Sequence, residues 1–180
     1  MLLELHNVTK HFRGLVAVDD FNMGIDRGEL VGLIGPNGAG KSTIFNLITG
    51  VLQLTRGKIT FNEIDITEKR PHEVAELGIG RTFQLNPLFS DFTVLENVVA
   101  SFHLRPKSNL LSTLFNTSTY RQNEANIREQ SLEILNLLGL DKVRNELGKQ
   151  LPHGHRLILG IARALAVKPK LLLLDEPTRG

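Results

Sequence analysis

An α/β layered fold with a mainly parallel sheet is what this 180-residue chain predicts. Short apolar runs that read as strands alternate with segments of helical period. Glycines and prolines punctuate the joins between them. Hydrophobic residues make up 41% of the sequence, ordinary for a chain that buries one core.

The elements follow in order. Leu2 to Val8 alternates as a half-buried strand, and Glu29 to Ile34 (ELVGLI) is a short apolar run leading into glycine, as a buried strand does. After Lys41 the period changes: Ile44, Leu47 and Ile48 share a helical face, and Gly50 stands where the helix should stop. Lys58 to Phe61 reads as a second strand of this unit, followed by a short helix from about Pro71 to Gly78. Thr93 to Glu96 (TVLE) is a capping box that opens a helix with Val94, Leu95, Val98, Val99 and Phe102 on its apolar face. Arg105 to Tyr120 reads as loop, Gln122 to Leu138 as a helix stopped by Gly139, and Leu157 to Val167 as a helix halted before Pro169. Leu171 to Leu174 is a continuous apolar run typical of a strand covered on both faces.

Composition narrows the function classes. Twenty-one Lys and Arg against 19 Asp and Glu leave a formal charge of +2, which argues against a nucleic-acid partner. The absence of cysteine excludes disulfide scaffolds and thiolate metal sites. No apolar run approaches the ~18 residues that span a bilayer, and MLLELHNVTK lacks the basic start of a signal peptide.

Two motifs carry chemistry. Gly35, Pro36, Asn37, Gly38, Ala39, Gly40, Lys41, Ser42 and Thr43 satisfy G-x-x-x-x-G-K-[ST] between an expected strand and helix. Glycines let backbone N–H groups turn inward around a phosphate, Lys41 reaches the β and γ oxygens, and Ser42 offers a hydroxyl to magnesium. The bland alternative is a glycine-rich turn with a solvated lysine. At the other end, four leucines run into Asp175 and Glu176. A carboxylate at a strand tip suits a metal or its water shell, and a neighbouring acid suits orientation of attacking water. Alone, an apolar strand ending in acids is a common structural pattern.

Taken together, these motifs resemble the ATP-binding subunits of ABC transporters over nearly the whole chain. That likeness implies a P-loop NTPase fold of the ABC ATPase type with a helical insertion, one domain over residues 1–180, and a helical subdomain of about residues 86–166. It implies ATP and Mg²⁺ as cofactors, with Mg²⁺ on Ser42, Gln84 and Asp175, and with Glu176, Gln84 and Lys41 as the catalytic group. Arg81-Thr82-Phe83-Gln84 looks like the family's Q-loop, and Phe12 stands where the family places the aromatic that stacks on adenine, with Val18 nearby. Base stacking contributes ~1–3 kcal/mol without a fixed hydrogen-bond pattern. Without the resemblance, Phe12 is a core phenylalanine and Gln84 a polar residue after a strand.

LVAVDD, GLIGPNGAGKST, NLITG, GIGRTFQ and FTVLENVVAS sharpen the resemblance to the ATPases of branched-chain amino-acid importers. Such a subunit is expected on the cytoplasmic face of the membrane, with integral-membrane permease subunits and a second ATP-binding subunit, identical or not, as partners. The family's signature segment LSGGQ appears here as LPHGH, Leu151 to His155, so a hydroxyl that would donate to the partner's γ-phosphate is lost. Gly154 and the helix start still offer N–H groups to that anion, whereas His153 and His155 read most simply as surface imidazoles. Gly160, where related chains commonly carry an acid, costs roughly 1 kcal/mol against alanine.

After DEPT the resemblance implies a D-loop, a strand with a switch histidine, and further elements. The chain is therefore expected to be a fragment whose glycine-loop strand and acidic strand lack a shared neighbour. Two other readings stay open: a nucleotide-binding or regulatory module that holds ATP without turning it over, and a soluble ABC ATPase acting on DNA or ribosomes. The last is disfavoured by the lack of tandem cassettes.

Overall fold

A computed structural model describes residues 1–82, 88–103 and 118–175. The chain divides into two compact units, Met1–Ile79 and Gly80–Gly180.

The first unit is built on a four-stranded sheet in the order β2-β1-β3-β4, from β1 (Leu3–Phe12), β2 (Leu15–Ile25), β3 (Arg56–Phe61) and β4 (Ile64–Asp65). β1 runs beyond the expected Val8 and folds back through Arg13 and Gly14 into β2, a strand the sequence analysis did not anticipate. Every pairing in this sheet is antiparallel, which corrects the mainly parallel expectation for these strands. For β1–β2 and β3–β4 the reason is local: a two-residue turn can join only antiparallel neighbours, whereas parallel pairing needs a long crossover.

Alternation along β1 first changes phase at Asn7. Leu3 and Leu5 face the core, then Asn7 takes φ 49° at a register shift, and Val8 points inward next. Such a bulge re-aims the strand without ending it. Leu3 lies opposite Phe61 and Leu5 opposite Ile59 on β3, and all four are almost wholly buried. At ~25 cal/mol per Å² of apolar surface, each such side chain contributes about 1.5–3 kcal/mol.

Helices α1 (Lys41–Ile48) and α2 (Pro71–Glu76) complete the unit. α1 buries the anticipated face of Ile44, Leu47 and Ile48. α2 starts on Pro71, whose missing N–H costs nothing in a first turn.

Glu29–Ile34 departs from expectation. It forms no strand, and Leu30 and Ile34 are 98% and 94% exposed. Among the described residues no strand lies beside it, so its amides and carbonyls have no ladder to join.

In the second unit, α3 (Val94–His103), α4 (Ser118–Leu137) and α5 (His153–Ala166) pack around one apolar cluster. Val94, Leu95, Val98 and Phe102 come from α3, Ile127 and Leu135 from α4, and Leu159, Ala162 and Ala166 from α5. The capping box forms as read: Thr93 donates its N–H to the Glu96 carboxylate at 2.7 Å, and the Glu96 N–H donates to the Thr93 hydroxyl at 3.1 Å. The Thr93 N–H, together with the Thr93 hydroxyl donating at 2.9 Å, holds the exposed Glu96 carboxyl below its usual range. Gly139, at φ 71°, lies just past α4 in the left-handed region that ends helices. α5 begins four residues before the expected Leu157, directly after Pro152, whose ring cannot continue the helix backwards. β5 (Ile79–Arg81) and β6 (Leu171–Leu173) form a two-stranded sheet, which bears out the leucine run as a strand.

Candidate functional site

In the first unit, the segment from Gly35 to Gly40 turns directly into α1. Gly40 is the residue before the helix and adopts φ 85°. A Cβ there would sit 2.5 Å from the Ala17 carbonyl oxygen and 3.3 Å from a Val18 methyl. Only glycine meets both demands, which explains this motif position physically. Gly35 is tight as well, since a Cβ would lie 3.2 Å from that of Ala39.

The start of α1 has no side-chain cap and no acid in its first turn. Its leading N–H groups and the positive end of its dipole are thus left for an anion. The Lys41 ammonium donates to the carbonyls of Gly35 (2.7 Å) and Pro36 (2.8 Å), which places a full positive charge against the loop backbone. Pro36, Asn37, Gly38, Ala39 and Ser42 are exposed, and Thr43 is half-buried. An uncapped helix start, an adjacent ammonium and an open Ser42 hydroxyl are the donors that a magnesium-bound polyphosphate requires, so these residues fit ATP and Mg²⁺.

Phe12 stands at the end of β1 and is 41% exposed, so it is not the core phenylalanine of the bland reading. The Lys10 ammonium lies over its ring at 5.1 Å and donates to the Gln53 carbonyl at 2.6 Å. That cation–π contact fixes one face of the ring. The K-x-F spacing on a strand puts both side chains on one face, so this contact was readable beforehand. Val18 is buried beside Gly40, where it supports the loop.

In the second unit, Asp175 lies two residues past the end of β6 and is held by Arg81 of β5 and by Thr82 just after it. Arg81 Nη2 donates to Asp175 Oδ2 at 2.9 Å, with both side chains under a tenth exposed. The Asp175 N–H donates to the Thr82 hydroxyl at 3.3 Å, and the Thr82 N–H donates to the Leu173 carbonyl at 3.0 Å. Sequence reasoning missed Arg81, because nothing local marks a partner 94 positions away. Gly154 lies exposed in the first turn of α5 with open space above its Cα. Gln84 and Glu176 lie outside the described residues. Among the described residues no three metal-binding side chains cluster. Mg²⁺ needs no such cage, since it usually takes one or two protein oxygens together with phosphate and water. Also among the described residues, no helix is long and apolar enough to cross a membrane.

Comparison with known proteins agrees with this assembly of parts. A family model described as ABC transporter matches residues 18–179. The high-affinity branched-chain amino acid transport ATP-binding protein BraF of Pseudomonas aeruginosa is 36% identical over 179 residues, which cover 99% of this chain and 70% of BraF. The sulfate/thiosulfate import ATP-binding protein CysA of the same organism is 38% identical over 98% of this chain and 50% of its own length. Among solved structures, the dimeric ATP-binding cassette MJ0796, bound to ADP and Pi, superposes with a TM-score of 0.79 at 30% identity, covering 98% of this chain and 74% of that one.

Proposed function

This chain belongs to the ABC transporter family of ATP-binding subunits, and from that premise we propose that it binds magnesium ATP on Gly35 to Thr43 and energises import of branched-chain amino acids. The observation that carries the nucleotide reading is the loop itself: a Gly40 without room for a Cβ, an uncapped helix start, and the Lys41 ammonium against the loop carbonyls. The family hydrolyses ATP, and the roles within this chain follow from its chemistry. Lys41 and the α1 amides hold the β and γ phosphates, and Phe12 stacks on adenine with Lys10 behind it. Ser42, Gln84 and Asp175 hold Mg²⁺, which when bound draws charge from the phosphate oxygens. Glu176 orients the attacking water and takes its proton. Gly154 and the start of α5 present N–H groups to the nucleotide of a second subunit in a head-to-tail dimer.

The chain functions as one ATP-binding domain over residues 1–180, in which residues 86–166 form the helical subdomain. Packing of α3, α4 and α5 around a shared cluster supports that assignment. Permease subunits in the inner membrane hold it on the cytoplasmic face. The name of BraF supports branched-chain amino acids as cargo, while the likeness to CysA makes sulfate the competitor to exclude.

The nucleotide reading is tested by calorimetry on Lys41→Ala. Loss of two charge-assisted contacts should weaken ATP binding about a hundredfold, and unchanged affinity would reject the loop assignment. For Glu176→Gln the expectation is an ATP-loaded dimer on size exclusion with phosphate release abolished. Unchanged turnover would remove Glu176 from its role. Cargo is decided in vesicles carrying the chain with its permease subunits, where labelled leucine rather than labelled sulfate should accumulate.

A further inference from the structure

We infer that Arg81 is the positioning residue for the magnesium site, setting its affinity by holding the Asp175 carboxylate in place. This rests on the reading of Asp175 as a magnesium ligand. Three observations carry the inference. The pair is close and nearly buried, with 2.9 Å between Arg81 Nη2 and Asp175 Oδ2 and side-chain exposures of 7% and 9%. The contact reaches only Oδ2, and among the described residues no bond to Oδ1 is found, so one carboxylate oxygen remains for a metal or its water. The neighbouring residue Thr82 holds the Asp175 backbone N–H, so two consecutive side chains fix both the backbone and the carboxylate of one residue.

A carboxylate this buried is costly when unpaired, and the guanidinium offsets that cost while fixing its direction. β5 thus does more than pair with β6. It presents Asp175 in one orientation before any ligand arrives. Groups that orient a metal ligand through hydrogen bonds typically govern affinity by 10–100-fold. A purely structural ion pair would instead tie β5 to β6 and leave metal affinity alone.

The test titrates MgCl₂ into the full chain saturated with a fluorescent ATP analogue and reads the concentration at half-saturation. Affinity for the same analogue in EDTA is measured alongside. Arg81→Gln should raise the half-saturating Mg²⁺ about tenfold while the EDTA affinity stays as in the parent. Arg81→Lys, which keeps the charge and loses the planar fork, should sit closer to the parent, roughly threefold weaker. Asp175→Asn sets the full scale of the effect. If Asp175→Asn weakens Mg²⁺ binding and Arg81→Gln leaves it unchanged or tightens it, the inference is overturned and the functional reading survives. No effect of Asp175→Asn would overturn the metal role of Asp175, and this inference with it. Should circular dichroism show Arg81→Gln unfolded, Arg81→Lys decides alone, and parent-like Mg²⁺ affinity there overturns the proposal.

Discussion

Two apolar runs lead into the two motifs proposed to handle the nucleotide, and they end in opposite environments. Glu29–Ile34 precedes the glycine loop, and Leu30 within it is 98% exposed. Leu171–Leu173 precedes Asp175, and Leu173 is 6% exposed. Both look alike in the sequence. The difference is a partner: β6 lies beside β5, whereas no described strand lies beside residues 29–34. An apolar run states a preference for burial, and pairing alone turns that preference into a strand. The glycine loop nonetheless keeps its geometry, because Gly40 is braced by Ala17 and Val18 of β2 and by the start of α1.

The contrast can be broken most sharply at Leu173. Leu173→Ala should lower unfolding stability by about 2–4 kcal/mol in urea, and an effect below 1 would mean that β6 is not a packed strand. Gly40→Ala should be next, at about 1–3 kcal/mol, from a left-handed backbone and a blocked Cβ. Its loss of ATP affinity should be disproportionate to its loss of stability, since brace and loop are the same residue. Smaller still is Thr93→Ala, which removes one half of the capping box and should cost about 1 kcal/mol by thermal melting. Leu30→Ala should fall within about 0.5 kcal/mol of the parent, and a larger loss would show that the run is buried in solution. Hydrogen exchange sharpens the same comparison. The Thr82 amide, bonded to the Leu173 carbonyl, should be protected, and the amides of residues 30–34 should exchange freely.

Much of the molecule was legible from short-range chemistry. The Thr93 and Glu96 box, the buried face of α1, the Pro71 start of α2 and the GPNGAGKST turn all depend on residues within a few positions of one another. The β1–β2 hairpin was missed because Arg13-Gly14 is not among the strong turn pairs. The spacing of Lys10 and Phe12 was readable, but Phe12 was separable from the core only by its exposure, which no window of sequence contains.

The sequence by itself determined the local events: where glycine must bend, where helices begin and end, and which faces are apolar. The tertiary structure alone decided which apolar run found a neighbour and which cation met Asp175. The physical reason is range. Caps and turns close over three or four residues, whereas a strand ladder and a buried ion pair join groups that only the folded chain brings within 3 Å, as Arg81 and Asp175 are at 2.9 Å.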